Sequence, residues 1–119
     1  MDTALKVQIL HTTKCSKSRE GWNWLQENVE NVETIEYLKQ NLTIKELKII
    51  LQKLNISAIE WVRKEEKIWK ENYNGKVFSD DELIKIMAEN PNLIQRPVII
   101  KGNRAIIGRP IEKIIEFLK

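Results

Sequence analysis

The hydrophobic pattern of this chain changes period along its length, and that change constrains the fold more than any other feature. The stretches KVQIL (6–10) and VETIEYL (32–38) have strand character and enclose a helical stretch that begins near Ser16. The middle third is helical. The last third contains VIIK (98–101) and RAII (104–107), separated by Gly-Asn, before a final helix. The sequence therefore predicts an α/β fold in the order β-α-β, helical block, β-β-α.

Helix starts in the middle third are marked by a hydroxyl residue with a glutamate three places later. In such a capping box the hydroxyl accepts a hydrogen bond from an amide in the first turn, and the carboxylate accepts one from the amide of the capping residue. The three boxes are Thr43 with Glu46, Ser57 with Glu60, and Ser79 with Glu82.

The final helix is predicted to carry Pro110 in its first turn, where the ring is tolerated.

Length and composition exclude several classes of protein. A chain of 119 residues can bury a core as one domain without metal or disulfide support. The single cysteine cannot form an internal bridge. The stretch 1–10 has an acidic residue at position 2 and too short an apolar segment for a secretory signal, so we expect a cytoplasmic location. No apolar run is long enough to cross a membrane. The net charge of +3 comes from basic residues interspersed with acidic ones, which favours a small anionic ligand over nucleic acid.

The segment HTTKCSKSRE (11–20) holds the only histidine and the only cysteine of the chain. Free cysteines are often small buried fillers, which is one interpretation of Cys15. However, Lys14, Lys17 and Arg19 flank it, and it lies between a predicted strand and a predicted helix. The unpaired amides and the dipole at a helix N-terminus favour an anion and lower the pKa of a thiol. The sequence therefore predicts that Cys15 is a nucleophilic thiolate.

His11 has two interpretations that the sequence leaves open. It could stabilise the Cys15 thiolate, as an imidazolium or through a hydrogen bond, or it could be a strand-end histidine satisfied by the backbone. A metal site is not expected, because one cysteine and one histidine do not supply the three or four ligands that zinc usually takes.

The chain resembles the arsenate reductase family, which has a thioredoxin-like fold and uses glutathione and glutaredoxin as reductants. The resemblance runs along nearly the whole chain, and its most specific motifs are His-x-x-x-Cys-x-x-Ser-Arg at 11–19 and the Arg-Pro pair at 96–97, supported by LIQRPVII and AIIGRP. Spx-type regulators and uncharacterised thiol reductases are related to it. The resemblance implies one domain of 1–119, with a thioredoxin-like core from 1–42 and 91–119 and a helical insert at about 43–90.

The resemblance also implies roles for individual residues. Cys15 would attack arsenate, His11 would help to hold the thiolate, and Ser18 belongs to the same catalytic motif. Pro97 would follow a cis peptide bond and face the cysteine. The arginines that would surround the oxyanion are Arg63, Arg96 and Arg109.

The sequence by itself supports these arginines to different degrees. Arg96 precedes a proline and a strand, and Arg109 precedes a helix, so both lie where sites of α/β proteins gather. Arg63 falls inside a predicted helical stretch, three residues from Glu60 and from Glu66, so a solvated ion pair is its simpler interpretation. A guanidinium fork binds a tetrahedral oxyanion through paired donors, which lysine cannot reproduce.

One departure from the family pattern and one difference from Spx-type regulators affect these expectations. Thr12-Thr13 stand where the family usually carries Asn-Pro, so the loop geometry and substrate preference are expected to differ. Ser18 occupies the place of a second cysteine in Spx-type regulators, which excludes an intramolecular redox switch. If Cys15 is the nucleophile, an external thiol must therefore resolve any adduct. The resemblance implies that this thiol is glutathione and that a glutaredoxin completes the cycle.

The predicted function is a cytoplasmic arsenate reductase that binds no cofactor and has neither nucleic acid nor membrane as a partner. One alternative is a general glutathione-dependent thiol/disulfide reductase on the same fold. The other is an Spx-like transcriptional regulator that contacts RNA polymerase. Trp61 and Trp69 are predicted to pack within the helical block and not to form a recognition surface.

Overall fold

The computed structural model describes residues 6–119, so the first five residues of the predicted N-terminal stretch lie outside the described part of the chain. The order of elements is the one predicted, β-α-β, a helical block and β-β-α. The elements are β1 (Val7–Leu10), α1 (Ser16–Asn28), β2 (Val32–Ile35), α2 (Ile44–Leu54), α3 (Ala58–Trp61), α4 (Lys67–Asn72), α5 (Asp80–Glu89), a short 3₁₀ helix (Pro91–Leu93), β3 (Val98–Lys101), β4 (Arg104–Ile107) and α6 (Glu112–Phe117).

The four strands form one mixed sheet in the order β2-β1-β3-β4. Strands β1 and β2 are parallel, with Leu10 opposite Ile35, and β1 pairs antiparallel with β3, with Leu10 opposite Val98. The hairpin of β3 and β4 has the predicted bounds, and its two-residue turn includes Gly102 at a φ of 62°. The C-terminal ends of β1 and β2 and the start of β3 therefore lie at the same end of the strands, where the loop that carries Cys15 begins.

Each face of the sheet buries its own apolar cluster, as period-two alternation requires. On one face Val7, Ile9 and Ile99 pack with Leu25 of α1 and Ile114 of α6. On the other face the helical block packs against the sheet. The most buried members of that second cluster include Leu10, Tyr37, Leu47, Trp61, Leu83, Met87, Leu93 and Val98. Trp61 and Trp69 are both buried in it, which confirms their predicted packing role.

The faces of β2, which the sequence left undecided, are assigned by these clusters. Val32 packs with the α1 side and Thr34 accepts a hydrogen bond from the Trp22 indole of α1 at 2.9 Å. Ile35 packs with the helical block, and the strand ends there and not at residue 38. Tyr37 follows the strand and enters the helical-block cluster. No helix within residues 6–119 has the length and apolar character needed to cross a membrane.

The predicted helix that begins after Ser57 is interrupted, and this corrects the prediction for Arg63. The four-residue helix α3 ends at Trp61, because Val62 pairs with Ile94 in an isolated β-bridge and the amide of Arg63 donates to the Leu93 carbonyl at 2.7 Å. Arg63 therefore lies in an irregular segment before α4 and not inside a helix. A backbone pairing distant in sequence has overridden local helix propensity.

The predicted helix caps form, with two local differences. Thr43 and Ser79 each complete both halves of the capping box, whereas at Ser57 the Glu60 carboxylate accepts from both the amide and the hydroxyl. The final helix begins at Glu112, so Pro110 lies before it and not in its first turn. The Pro110 carbonyl accepts a hydrogen bond from the Lys113 amide at 3.0 Å, so Pro110 opens the turn that leads into the helix.

Candidate active site

Cys15 occupies the N-cap position of α1, at the end of the loop that leaves β1. It is partly exposed and it is the only cysteine of the chain. Burial raises the pKa of the Cys15 thiol, but hydrogen bonding by the Ser18 amide, the Arg96 side chain and the Lys17 amide, together with the charge of Arg96, outweighs burial and lowers the pKa. The first-turn amides act as expected for an anion at a helix N-terminus.

The cation that acts on the sulfur comes from a distant part of the sequence. The lysines that flank Cys15 are exposed, and the guanidinium of Arg19 donates to the Thr13 carbonyl at 2.6 Å. Arg96, which follows the 3₁₀ helix, is instead the arginine that lowers the thiol's pKa. The positive setting of the thiol therefore depends on tertiary structure more than on the lysines beside it.

Ser18 is the centre of the loop's hydrogen bonds and is fully buried. Its Oγ lies 2.7 Å from Nδ1 of His11 and accepts a hydrogen bond from the Thr12 amide at 3.0 Å. The Thr12 hydroxyl in turn accepts from the Lys14 amide at 3.2 Å. Thr12, at the position where the family carries asparagine, thus closes the loop through its own side chain and backbone.

His11 is buried and its ring is committed to other partners than the sulfur. Its Nδ1 bonds Ser18, and its ring stacks on Trp22 with centroids 5.8 Å apart and planes inclined by 19°. Burial lowers the pKa of His11, so the ring is neutral at pH 7. The structure disfavours an imidazolium that would stabilise the thiolate. The ring is satisfied by the Ser18 side chain and not by the backbone, and the backbone amide of His11 donates to the Ile35 carbonyl.

Arg96 is buried with 6% of its surface exposed, which is rare for an arginine. Its Nη1 donates to the carbonyls of Asn92 and Ile94 at 3.2 and 3.5 Å. Its buried Nε has no hydrogen-bond partner among residues 6–119. A buried donor left without a partner costs free energy, which favours an acceptor arriving from outside the chain.

Arg109 contacts the backbone of Arg96, whereas the side chain of Arg63 is held by glutamates of its own segment. Arg109 donates to the backbone carbonyl of Arg96 at 3.5 Å. Arg63 is largely buried, with its Nη1 2.9 Å from Glu66 and its Nε 3.5 Å from Glu65, and that Nε forms no hydrogen bond within the described chain. The ion pair that the sequence suggested for Arg63 thus forms with Glu66 and not with Glu60. Because both side chains are mostly buried, the pair is not freely solvated.

The peptide bond between Arg96 and Pro97 is cis, and so is the bond between Arg109 and Pro110. Pro97 packs on α1 at Gly21, where an added Cβ would lie 3.2 Å from Cγ of Pro97 and 2.9 Å from Cδ1 of Ile114. The absence of a side chain at Gly21 lets α1, which carries Cys15 at its start, approach the segment that carries Arg96.

Sequence reasoning missed Tyr37, which is fully buried and donates from its hydroxyl to the Ile94 carbonyl at 3.3 Å. Its pKa is raised to about 12 by burial, and it is affected by the charges of Arg96, Arg63 and Cys15. The sequence signal that could have pointed to Tyr37 was its place directly after a parallel strand, at the end of the sheet where the loop of Cys15 starts.

A groove of about 360 Å³ lies beside the loop and is lined by His11, Thr13, Arg19, Trp22, Asn23, Thr34 and Glu36. Its lining includes the guanidinium of Arg19, the carboxylate of Glu36 and the indole of Trp22, but not Cys15. Among residues 6–119 no three histidine, cysteine, aspartate or glutamate side chains are grouped as metal ligands would be.

Comparisons with known proteins identify the relatives of this chain. The chain is 38% identical over 117 residues to the arsenate reductase of Haemophilus influenzae, covering 96% of this chain and 100% of that protein. The solved structure of the arsenate reductase from Vibrio cholerae is similar with a TM-score of 0.88 and 37% identity, covering 95% of this chain and 98% of that chain. The global transcriptional regulator Spx 2 of Bacillus anthracis is 30% identical over 112 residues, covering 92% of this chain and 86% of that protein.

These similarities confirm the thioredoxin-like fold and the predicted family. The family model described as "ArsC family" matches residues 10–117, which include the Cys15 loop and all three arginines. With a thiol of lowered pKa at the start of α1 and a buried arginine acting on it, this chain belongs to the ArsC family.

Proposed function

We propose that this protein is an arsenate reductase that uses Cys15 as its only nucleophile. The observation that carries the proposal is the lowered pKa of the Cys15 thiol, brought about by first-turn amides and by Arg96. A thiolate is the reactive form of cysteine, and the same donors that stabilise it can stabilise negative charge on a substrate oxygen.

The first step would be attack of the Cys15 sulfur on arsenic(V), forming an S–As bond and releasing one arsenate oxygen as hydroxide or water. Arg96, Arg63 and Arg109 would hold the remaining oxygens. Support comes from the buried Nε of Arg96, which has no hydrogen-bond partner among residues 6–119, and from that of Arg63, which forms no hydrogen bond there and lies 3.5 Å from a Glu65 carboxylate oxygen. Arsenate, a tetrahedral dianion, would supply the missing acceptors through the paired donors of each guanidinium.

The second half of the reaction needs an external thiol, because the chain has no second cysteine. Over the full cycle two external thiols lose two protons and two electrons and become a disulfide, arsenic(V) becomes arsenic(III), and one arsenate oxygen leaves as water. We propose glutathione as the first thiol and a glutaredoxin as the protein that finishes the cycle. The mixed charge of the groove beside the loop supports a zwitterionic thiol such as glutathione.

The decisive experiment measures arsenite release from arsenate with glutathione and glutaredoxin supplied. Wild-type protein should reduce arsenate, and Cys15→Ser should be inactive because it removes the nucleophile. Arg96→Lys keeps the charge but removes the fork, so it should raise KM for arsenate. Activity that survives Cys15→Ser would exclude the covalent scheme, and omission of glutathione or of glutaredoxin from the assay tests each reductant separately.

A general thiol/disulfide reductase is the second candidate, because a thiolate of lowered pKa also attacks disulfides. Reduction of a glutathione mixed disulfide, assayed in parallel, distinguishes it from arsenate reduction. The third candidate is a regulator, which has one specific similarity in its favour, the likeness to Spx 2. Retention of RNA polymerase α-subunit on the immobilised protein would favour that function, whereas arsenate turnover without retention would exclude it as the main one.

A further inference from the structure

Tyr37 is a polar side chain placed in the apolar cluster between the sheet and the helical block. Its ring is fully buried, and its hydroxyl donates to the Ile94 carbonyl, 57 residues away in the sequence, at 3.3 Å. A buried tyrosine hydroxyl needs a partner, but a phenylalanine would fill the same space without that requirement. Packing alone therefore does not account for the hydroxyl of Tyr37.

The Ile94 carbonyl is shared between Tyr37 and Arg96. Nη1 of Arg96 lies 3.5 Å from this oxygen and 3.2 Å from the Asn92 carbonyl, so both of its backbone contacts are long. The Nε of Arg96 has no partner in residues 6–119. The direction of the guanidinium thus depends on how strongly each carbonyl attracts it.

The hydroxyl of Tyr37 is close enough to the site to sense its charges. Burial dominates and raises the pKa of Tyr37 to about 12, whereas the charge of Arg96, a hydrogen bond from the Arg96 side chain and the charge of Arg63 lower it, and the charge of Cys15 raises it. The phenol therefore stays protonated at neutral pH and remains a hydrogen-bond donor to Ile94. Arg96 in turn acts on the Cys15 sulfur through a hydrogen bond and through its charge.

We propose that Tyr37 is a positioning residue for Arg96. By donating to the Ile94 carbonyl, the hydroxyl competes with Nη1 of Arg96 for this shared acceptor, weakens its hold on the guanidinium, and so keeps Arg96 donors directed to the Cys15 sulfur. The part of this inference that concerns the oxyanion rests on the proposed function. The part that concerns the thiol requires no arsenate.

The test is Tyr37→Phe, which keeps the ring and removes only the hydroxyl. The rate of Cys15 alkylation by iodoacetamide, measured from about pH 5 to 9, gives the pKa of the thiol. We expect that pKa to rise in Tyr37→Phe, and KM for arsenate to rise roughly threefold to tenfold, as for one weakened charge-assisted hydrogen bond. Tyr73→Phe is the matched control, because Tyr73 packs with Trp69 and Phe78 away from this contact, and both values should stay as in wild type.

A double-variant cycle separates positioning from packing. In an Arg96→Gln background, Tyr37→Phe should cause no further rise in the thiol pKa, because the guanidinium that it positions is gone. An unchanged thiol pKa in Tyr37→Phe, or an equal rise with and without Arg96, would overturn the inference. A raised thiol pKa in Tyr37→Phe, together with wild-type protein inactive on arsenate, would keep this inference and remove the proposed function.

A second measurement serves if Tyr37→Phe does not fold, as judged by circular dichroism. In the Tyr73→Phe background, 3-fluorotyrosine incorporated at Tyr37 keeps the ring and makes the hydroxyl a stronger donor. The thiol pKa should then fall below that of the unlabelled Tyr73→Phe protein. No change or a rise would contradict the proposed role.

Discussion

Nη1 of Arg63 lies 2.9 Å from a carboxylate oxygen of Glu66, and among the ion pairs of residues 6–119 this is the one in which both side chains are mostly buried. The exposed fractions are 16% for Arg63 and 29% for Glu66, so water screens their attraction only in part. The Glu66 carboxylate occupies a donor that the proposed mechanism assigns to an arsenate oxygen. Arsenate and Glu66 would therefore compete for the same guanidinium.

Glu66→Gln should tighten oxyanion binding, because it removes a negative charge that both occupies Arg63 and repels a dianion. We expect KM for arsenate to fall by about threefold, which is the scale of a partly screened ion pair. Glu71→Gln is the control, since Glu71 pairs with the exposed Lys67 on the same helix. A higher KM in Glu66→Gln would show that Glu66 orients Arg63 for the substrate instead of competing with it.

The stability of the protein should depend on the ionisation of Cys15. The folded-state pKa of the thiol is lower than the unfolded value of about 8.5, so the contribution is fully present above that value and is lost as the pH falls through the folded pKa. We expect the difference in unfolding free energy between wild type and Cys15→Ser to shrink as the pH is lowered from about 9. Urea denaturation with reductant present measures it. A difference that is independent of pH would contradict a stabilised thiolate.

Ser18→Ala should destabilise the protein by about 1–3 kcal/mol, because it leaves the Thr12 amide and Nδ1 of His11 buried without their partner. Ser16→Ala, on the exposed side of the first turn of the same helix, should change stability much less. Urea denaturation of both variants at pH 7 makes the comparison. Equal effects of the two changes would mean that the buried hydroxyl contributes nothing beyond helix propensity.

Gly21→Ala tests how closely α1 approaches the cis-proline segment. Helix propensity alone predicts a gain of about 1 kcal/mol for this change. The structure predicts a net loss of roughly 1–2 kcal/mol, because the new Cβ would meet the rigid Pro97 ring at 3.2 Å and buried Ile114 at 2.9 Å. Thermal unfolding of Gly21→Ala, compared with that of Gln26→Ala at an exposed position of the same helix, shows whether the change at Gly21 stabilises or destabilises the protein. A stabilised Gly21→Ala protein would mean that the contact relaxes at little cost.

Local sequence signals predicted the elements whose causes are local. The hairpin at 98–107 depends on a two-residue turn, and the helices after Thr43 and Ser79 depend on capping boxes, and all of these formed with the expected starts. The helix predicted around Arg63 was wrong, because Val62 and Arg63 pair with the backbone near Ile94, more than thirty residues later. Nothing in the local pattern around Arg63 reports that partner.

The amino-acid sequence by itself determined the order of the elements, the place of a single thiol at a helix start, and the lack of a second cysteine to resolve an adduct. These properties follow from residue types and short spacings. Tertiary structure alone decided that Arg96 is the cation acting on Cys15, that Glu66 holds Arg63, and that Tyr37 shares an acceptor with Arg96. The Arg96 and Tyr37 contacts join distant parts of the chain, and the choice of Glu66 over Glu60 follows from the interrupted helix. The contacts of Arg96 and Tyr37 are therefore properties of the packed core, whereas the Arg63–Glu66 pair belongs to one segment whose conformation the core decided.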